Sequence, residues 1–189
     1  MRSRGWLRSL AGVLILAVLM AAPGRAATEK STWGIPNASF PLPGVMVAGQ
    51  PTGEQIQLMV EEGGYRTLID LRPPDEPRGF DEREAARQIG LAYVNIPVTP
   101  AALDQVTIDR FLAALHKAAR PVLVHCSDAS RTAGLLYAWL VLEKREPAAK
   151  ALEQARAAGL RGPEMTERVE KLVAERQGAS AKPAARPRG

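Results

Sequence analysis

The sequence predicts an α/β domain in which a mainly parallel sheet of four to five strands is flanked by helices. Three observations carry that expectation. Between Trp33 and Arg176, short runs of strand character alternate with segments of helical spacing, as in sheets covered by helices on both faces. The runs Val45–Ala48 and Pro121–His125 are almost wholly apolar, which suits strands buried on both faces. Finally, the 189 residues hold no internal repeat, and the 46% that are apolar suit one core rather than two.

Taken in order, Val45–Ala48 is a short strand closed by Gly49-Gln50-Pro51. Thr52 and Gln55 have the spacing of a capping box, and Ile56, Met59 and Val60 fall on one face of the helix that follows. Gly63-Gly64 stops it. Tyr65–Leu71 reads as a buried strand, and the proline-rich stretch 72–77 as a loop. Asp81–Ile89 is helical, with Gly90 as its stop, and Leu91–Val98 alternates like a strand. Thr107–Ala119 has Ile108, Phe111, Leu112 and Leu115 at helical spacing. Pro121–His125 is the most buried-looking strand, followed by an apolar helix over Thr132–Leu142. Pro147 then opens a helix that Gly159 ends, and a last helix spans Pro163–Arg176.

The formal charge of +5 and the pI near 9.7 suggest a nucleic-acid binder, but the charge sits at the ends. Setting aside four arginines before Thr28 and three basic residues after Arg176, 18 of the 25 basic residues face all 20 acidic ones. The body is slightly acidic, and no nucleic-acid partner is expected. Residues 1–27 have the three parts of a secretory signal: Arg2, Arg4 and Arg8, the uncharged run Leu10–Ala22, and small residues before a cut after Ala26 or Ala27. The run is shorter than the roughly 20 apolar residues of a membrane span, so no stable anchor is expected after cleavage. The expected location is periplasmic or secreted, and the expected state a monomer. Residues 177–189, rich in Ala, Pro and basic side chains, read as a disordered tail, leaving 33–176 as the folded domain.

An exported chain normally uses cysteines in pairs, yet Cys126 is alone. It either packs as a small apolar residue, pairs between chains, or is kept as a reactive thiol. The last reading fits its context. A buried strand delivers Cys126 to its C-terminal end, a tight turn of small residues follows, and a helix begins near Arg131. Backbone N–H groups of such a loop and the positive end of the helix converge on an anion, and the same field stabilises a thiolate. Arg131 adds a fork that matches two phosphate oxygens.

The stretch Val122-Leu123-Val124-His125-Cys126-Ser127-Asp128-Ala129-Ser130-Arg131-Thr132 resembles the signature loop of cysteine-based protein tyrosine phosphatases: His-Cys, a spacer, Arg, then Ser or Thr. The wider chain resembles their compact dual-specificity-type bacterial members, including the beta-lactamase hydrolase-like phosphatases. Val45–Pro51 matches that group's strand and Gly-Gln-Pro turn, Gly64–Arg72 its next strand with Glu76 and Glu84 following, and Tyr93–Val98 its third. The Ala-rich helix from Pro147 to Gly159-Leu160 also fits. The resemblance implies a dual-specificity-phosphatase-like fold and hydrolysis of a phosphomonoester without cofactor or metal. Cys126 would be the nucleophile that forms a cysteinyl-phosphate. Ser127, Asp128, Ala129, Ser130, Arg131 and Thr132 would hold the phosphate, with Arg131 catalytic and Thr132 facing the departing thiolate. His125 would either orient the loop or simply pack at the strand end.

Three departures keep other readings open. Four residues separate Cys126 from Arg131 where the standard loop has five, a spacing shared with rhodaneses, which carry sulfur as a Cys persulfide. Asp128 brings a carboxylate into an anion loop, so it is expected to face outward or to be protonated. Thr99 stands at the usual position of the general acid, and Asp104, five residues on, is the substitute candidate, with a plain helix-terminal role as its alternative. If neither carboxylate serves, an inactive anion-binding module remains a third possibility. Arg72 and Arg78 read as solvated loop charges or as substrate contacts, and His116 has no metal-ligating company.

Overall fold

The computed structural model describes residues 32–181. The expected export segment, residues 1–27, and residues 182–189 lie outside the described residues. Five strands form one sheet in the order β1-β2-β5-β3-β4: β1 (Ser39–Leu42), β2 (Val45–Ala48), β3 (Thr67–Asp70), β4 (Ala92–Asn95) and β5 (Val122–His125). Strands β2, β5, β3 and β4 are parallel, and β1 pairs antiparallel with β2 along the edge. The sheet is therefore the mainly parallel one expected, with β1 as a fifth strand absent from the sequence reading. Its four residues are only half-buried and include Pro41, which cannot donate to a ladder and is tolerated at an edge.

Alternation along the strands divides the core in two. Val45, Val47, Ile69, Val122 and Val124 face one side, and Met46, Ala48, Leu68 and Leu123 face the other. On the second side lie α1 (Gly53–Glu61) and α2 (Glu82–Gln88). The capping box of α1 is formed: the Thr52 hydroxyl accepts from the Gln55 N–H at 3.2 Å, and Gln55 Oε1 accepts from the Thr52 N–H at 2.9 Å. The first side is covered by α3 (Gln105–Lys117), α4 (Ser130–Leu142), α5 (Ala148–Ala157) and α6 (Pro163–Ala181). Helix α4 is buried nearly all round, so its lack of charge between Arg131 and Glu143 follows from its position. Its Leu135, Leu136, Tyr137, Trp139 and Leu140 each contribute roughly 1.5–3 kcal/mol of apolar burial. Gly134 lets α6 approach α4; a Cβ there would meet Met165 Cε at 2.4 Å.

Three helix boundaries differ from the expected ones. Helix α3 begins two residues earlier because Asp104 caps it, and α4 begins at Ser130 rather than Thr132. Helix α6 continues to Ala181, five residues past Arg176, so the segment read as tail from 177 is helical at its start. Gln177, Ala179 and Ala181 have adequate helix propensity, and no proline occurs before Pro183 to end the helix. Among the described residues no helix is long and apolar enough to cross a membrane. The parallel registers bring Ala48, His125, Asp70 and Asn95 to one edge of the sheet. Ligands of open α/β sheets bind at this carboxyl edge, and the loops that leave it here include the Cys126 segment.

Candidate active site

Strand β5 ends at His125 and hands the chain to Cys126, which is fully buried. The loop is pinned from outside. Cys126 N–H donates to the Ala48 carbonyl at 3.3 Å, and Gln50 N–H donates to the Ser127 carbonyl at 3.1 Å. Asn37 Nδ2 donates to the Asp128 carbonyl at 3.1 Å. In a trans peptide the C=O and the following N–H point opposite ways, so the amides of Asp128 and Ala129 turn away from these partners. Gly49 must be glycine for this arrangement, since a Cβ would stand 2.9 Å from the Ser127 carbonyl oxygen. Ala129 makes the turn into α4 in the left-handed region at φ 76°, an unusual conformation for a residue with a side chain.

From the first turn of α4, Arg131 reaches back over the loop. Its Nη1 and Nη2 donate to Glu76 Oε2 and Oε1 at 2.7 Å each, Nη2 also donates to Ser127 Oγ at 2.9 Å, and Nη1 to the Val98 carbonyl at 3.1 Å. Burial pulls the guanidinium's pKa down, but the hydrogen bonds and charge of Glu76 oppose it and Arg131 stays above its ordinary value. Thr132 is fully buried and its hydroxyl has no hydrogen-bond partner within the fold. Ser130 is engaged elsewhere: its hydroxyl donates to the Arg161 carbonyl at 2.7 Å and accepts from the Arg161 N–H at 3.0 Å. A pocket of about 380 Å³ opens above, between Thr99–Pro100, the loop residues and the Arg161–Met165 turn.

The two carboxylates singled out in the sequence part company. Asp104 caps α3, accepting from Thr107 N and Oγ1 at 2.7 Å each, and these bonds hold its carboxyl below the ordinary value. It is exposed and takes no part in lining the pocket, and the role the structure shows for it is the helix-terminal one. Asp128 is exposed, as expected, but one of its oxygens turns back to the loop. Its Oδ1 accepts from the Ser130 N–H at 3.0 Å and lies 3.7 Å from Cys126 Sγ.

Beneath the loop lies a buried ionic network that the sequence reading did not assemble. Arg72, 1% exposed, donates from Nε to Asp70 Oδ1 at 2.9 Å and from Nη2 to Glu82 Oε2 at 2.6 Å. Arg78 and the Tyr93 hydroxyl donate to Asp70 Oδ2 at 3.0 and 2.8 Å. Arg72 and Arg78 are thus neither solvated loop charges nor substrate contacts. His125 lies with Nε2 at 3.3 Å from Glu82 Oε1 and Nδ1 at 3.4 Å from the Cys126 carbonyl. Burial pushes the Asp70 carboxyl up, but the Arg72 hydrogen bonds and the His125 and Arg72 charges overcome this and hold it at about 2. The ligand atoms of Asp70, Glu82 and His125 lie within 4.8 Å of one another, as a metal would need. However, Arg72 already places a guanidinium against both carboxylates, so a cation would be repelled there. Asp70 and Arg72 occupy i and i+2 at a strand end and share a side, which was a readable signal. Glu82 had none, since nothing local distinguishes it from a solvated helix acid, and Glu76 was marked only by the resemblance.

A parallel sheet that delivers a cysteine into a tight loop, with an arginine one helical turn on, defines the class of dual-specificity-type protein tyrosine phosphatases. More particularly, residues 44–173 match the family described as a DSP-PTPase phosphatase fused to NAD+ kinase, and the chain belongs to that family. It is similar to the beta-lactamase hydrolase-like protein of Xylella fastidiosa, 36% identical over 96 residues, covering 49% of this chain and 22% of that protein. The corresponding protein of Agrobacterium fabrum is 29% identical over 89 residues, covering 45% of this chain. The chain thus spans about a fifth of the length of the curated relatives it matches. Among solved structures, a DUF442 protein of Shewanella putrefaciens CN-32 superposes with a TM-score of 0.62 at 23% identity, over 75% of this chain and 94% of the other. The core catalytic domain of the PP-IP phosphatase SIW14 from S. cerevisiae gives 0.62 at 15% identity, over 77% and 94%. At these identities the likeness establishes the fold.

Proposed function

We propose that the chain is an exported phosphatase that hydrolyses phosphomonoesters through a cysteinyl-phosphate on Cys126. The observation that carries this reading is the placement of Arg131, held by both oxygens of Glu76 and by Ser127 Oγ over the loop that begins at Cys126. The Glu76 bonds aim the guanidinium; its Nε–H is left for one phosphoryl oxygen, and Nη2 reaches a second by giving up Ser127 Oγ. The loop amides of 127–131 other than that of Ser130, which is donated to Asp128, supply further donors, and the buried Thr132 hydroxyl has no competing partner and is available to the departing thiolate. Attack by Sγ displaces the alcohol, and water then hydrolyses the thiophosphate ester. The reading also has residues 1–27 cleaved on export, the mature domain acting as a monomer, and a phosphorylated substrate in the periplasm or outside the cell.

Turnover of p-nitrophenyl phosphate by the purified protein tests it, alongside sulfur transfer from thiosulfate to cyanide. Phosphate release is expected from the wild type and from neither Cys126→Ser nor Arg131→Met. Release that survives Cys126→Ser, or activity confined to thiosulfate, would overturn the reading.

A further inference from the structure

The pocket over the loop lacks a general acid in the place where the resemblance puts one: Thr99 lines it, but a hydroxyl cannot protonate a leaving alkoxide. Three carboxylates stand at or beside the site. Glu76 is committed to Arg131 through both oxygens. Glu164 sits on the rim in the first turn of α6. Asp128 alone touches a reacting atom, with Oδ1 as the acceptor for Cys126 Sγ at 3.7 Å while the Ser130 N–H fixes the same oxygen at 3.0 Å. Among the described residues no cation pairs with it.

We propose that Asp128 is the acid of the first chemical step and that its proton is the one Cys126 gives up; this rests on the phosphatase reading above. A phosphate dianion entering the loop comes against the Asp128 carboxylate, and two adjacent negative groups favour a proton between them. The thiol proton lies within hydrogen-bond reach. It moves from Sγ to Oδ1, leaving a thiolate in the field of Arg131 and a neutral carboxyl beside the substrate. Sγ then forms its bond to phosphorus while the bond from phosphorus to the leaving oxygen breaks. The leaving oxygen keeps that electron pair and takes the proton from Asp128. The products are the free alcohol and the cysteinyl-phosphate dianion. Asp128 begins and ends as a carboxylate, and no proton is drawn from outside the site. The carboxylate oxygen turned to the loop, which would repel substrate if it stayed ionised, carries the thiol proton once the dianion arrives.

The test is the burst of alcohol release under single-turnover conditions, measured along a series from 2,4-dinitrophenyl phosphate to phenyl phosphate. Asp128→Asn keeps an oxygen able to accept the Ser130 N–H but cannot carry the proton. The variant also loses the acceptor for the thiol proton, so it should slow on every ester, and it should fall about 10²–10⁴-fold further behind wild type on the phenyl ester than on the dinitrophenyl ester. A loss uniform across the series, a gain on every ester, or a leaving-group dependence that appears in Glu164→Gln and not in Asp128→Asn would overturn the assignment. If the wild type gives no burst on the dinitrophenyl ester, or Cys126→Ser gives one, the phosphatase reading falls and takes this one with it. A normal wild-type burst, absent in Cys126→Ser, combined with a flat Asp128→Asn series removes only the role of Asp128.

Discussion

Glu76 grips Arg131 through both carboxylate oxygens at 2.7 Å each, and the two residues are 55 apart in sequence. The pair joins the loop after β3 to the first turn of α4, so the guanidinium is oriented before any substrate arrives. A bidentate pair of this kind fixes direction as well as distance. Glu76 has two opposed effects on an anion: it aims the arginine, and it cancels part of its charge. Replacing it with Gln separates them. Orientation matters most in the transition state, so kcat on p-nitrophenyl phosphate is expected to drop about 10–10²-fold, equivalent to roughly 1.4–2.7 kcal/mol. The site also becomes more positive, so inorganic phosphate should inhibit Glu76→Gln at least as well as wild type. A matched loss of phosphate affinity and kcat would mean that Glu76 serves only to keep the loop folded.

Much of this architecture is legible in local pattern. The strands β2 to β5, the capping box of Thr52 and Gln55, and the cysteine loop all rest on spacing within ten residues. What escaped the sequence reading depends on tertiary contact. Strand β1 is half-buried and broken by Pro41, so neither periodicity nor propensity marks it. Glu76 and Glu82 look like surface acids until the fold brings them to Arg131 and Arg72. Asp128 is exposed, as like-charge repulsion argues, but local pattern does not show that the Ser130 N–H holds its Oδ1 toward Cys126.

Asp104 allows the cap and general-acid roles to be separated by experiment. Because its carboxylate is spent on Thr107 N and Oγ1, removing it should affect helix α3 and not the chemistry. Asp104→Ala is expected to lower the melting temperature by a few degrees, through loss of the cap. Its kcat/KM on phenyl phosphate should equal that of wild type. A loss of activity larger on poor leaving groups than on good ones would return Asp104 to the active site.

Ala129 and Gly159 form a second testable pair. Ala129 holds φ 76° at the turn into α4, and a Cβ on Gly159 would stand 3.1 Å from the Ala129 Cβ. The left-handed region costs an L-residue about 1–2 kcal/mol, and the buried Ala129 methyl returns about 0.8 kcal/mol. Ala129→Gly is therefore expected to gain up to about 1 kcal/mol in denaturant unfolding. Gly159→Ala should lose stability, since its own φ of 110° disfavours a side chain and its methyl would crowd Ala129. Destabilisation by Ala129→Gly would show that methyl packing outweighs backbone strain at this turn.

The Gly-Gln-Pro turn bears on the loop in the same way. A Cβ at residue 49 would stand 2.9 Å from the Ser127 carbonyl oxygen and 3.1 Å from that of Pro36, both backbone atoms that cannot rotate aside. Gly49→Ala is expected to cost about 1–3 kcal/mol by overpacking and to displace the loop that holds Cys126. Urea midpoints and the kcat of the folded fraction measure the two effects separately; wild-type values for both would mean that the loop yields without cost.

The buried network under the loop makes a prediction about acid. The Asp70 carboxyl titrates at about 2 in the folded protein against an ordinary 3.8, held down by Arg72 and His125 against the opposing effect of burial. A depressed carboxylate stabilises the fold fully above its unfolded value, and that contribution fades as pH falls through the folded one. Asp70 should therefore contribute on the order of 2 kcal/mol at neutral pH and lose it between about pH 4 and pH 2. Asp70→Asn should flatten that part of the stability profile. It should also lower stability at pH 7 by more than the wild type loses in acid, because Arg72, 1% exposed, keeps its charge with only Glu82 to meet it. Breaking one partner out of such a buried pair typically costs about 3–5 kcal/mol. Urea unfolding from pH 2 to pH 7 on both proteins decides the matter. A variant whose stability declines in acid as steeply as the wild type would place the titrating group elsewhere.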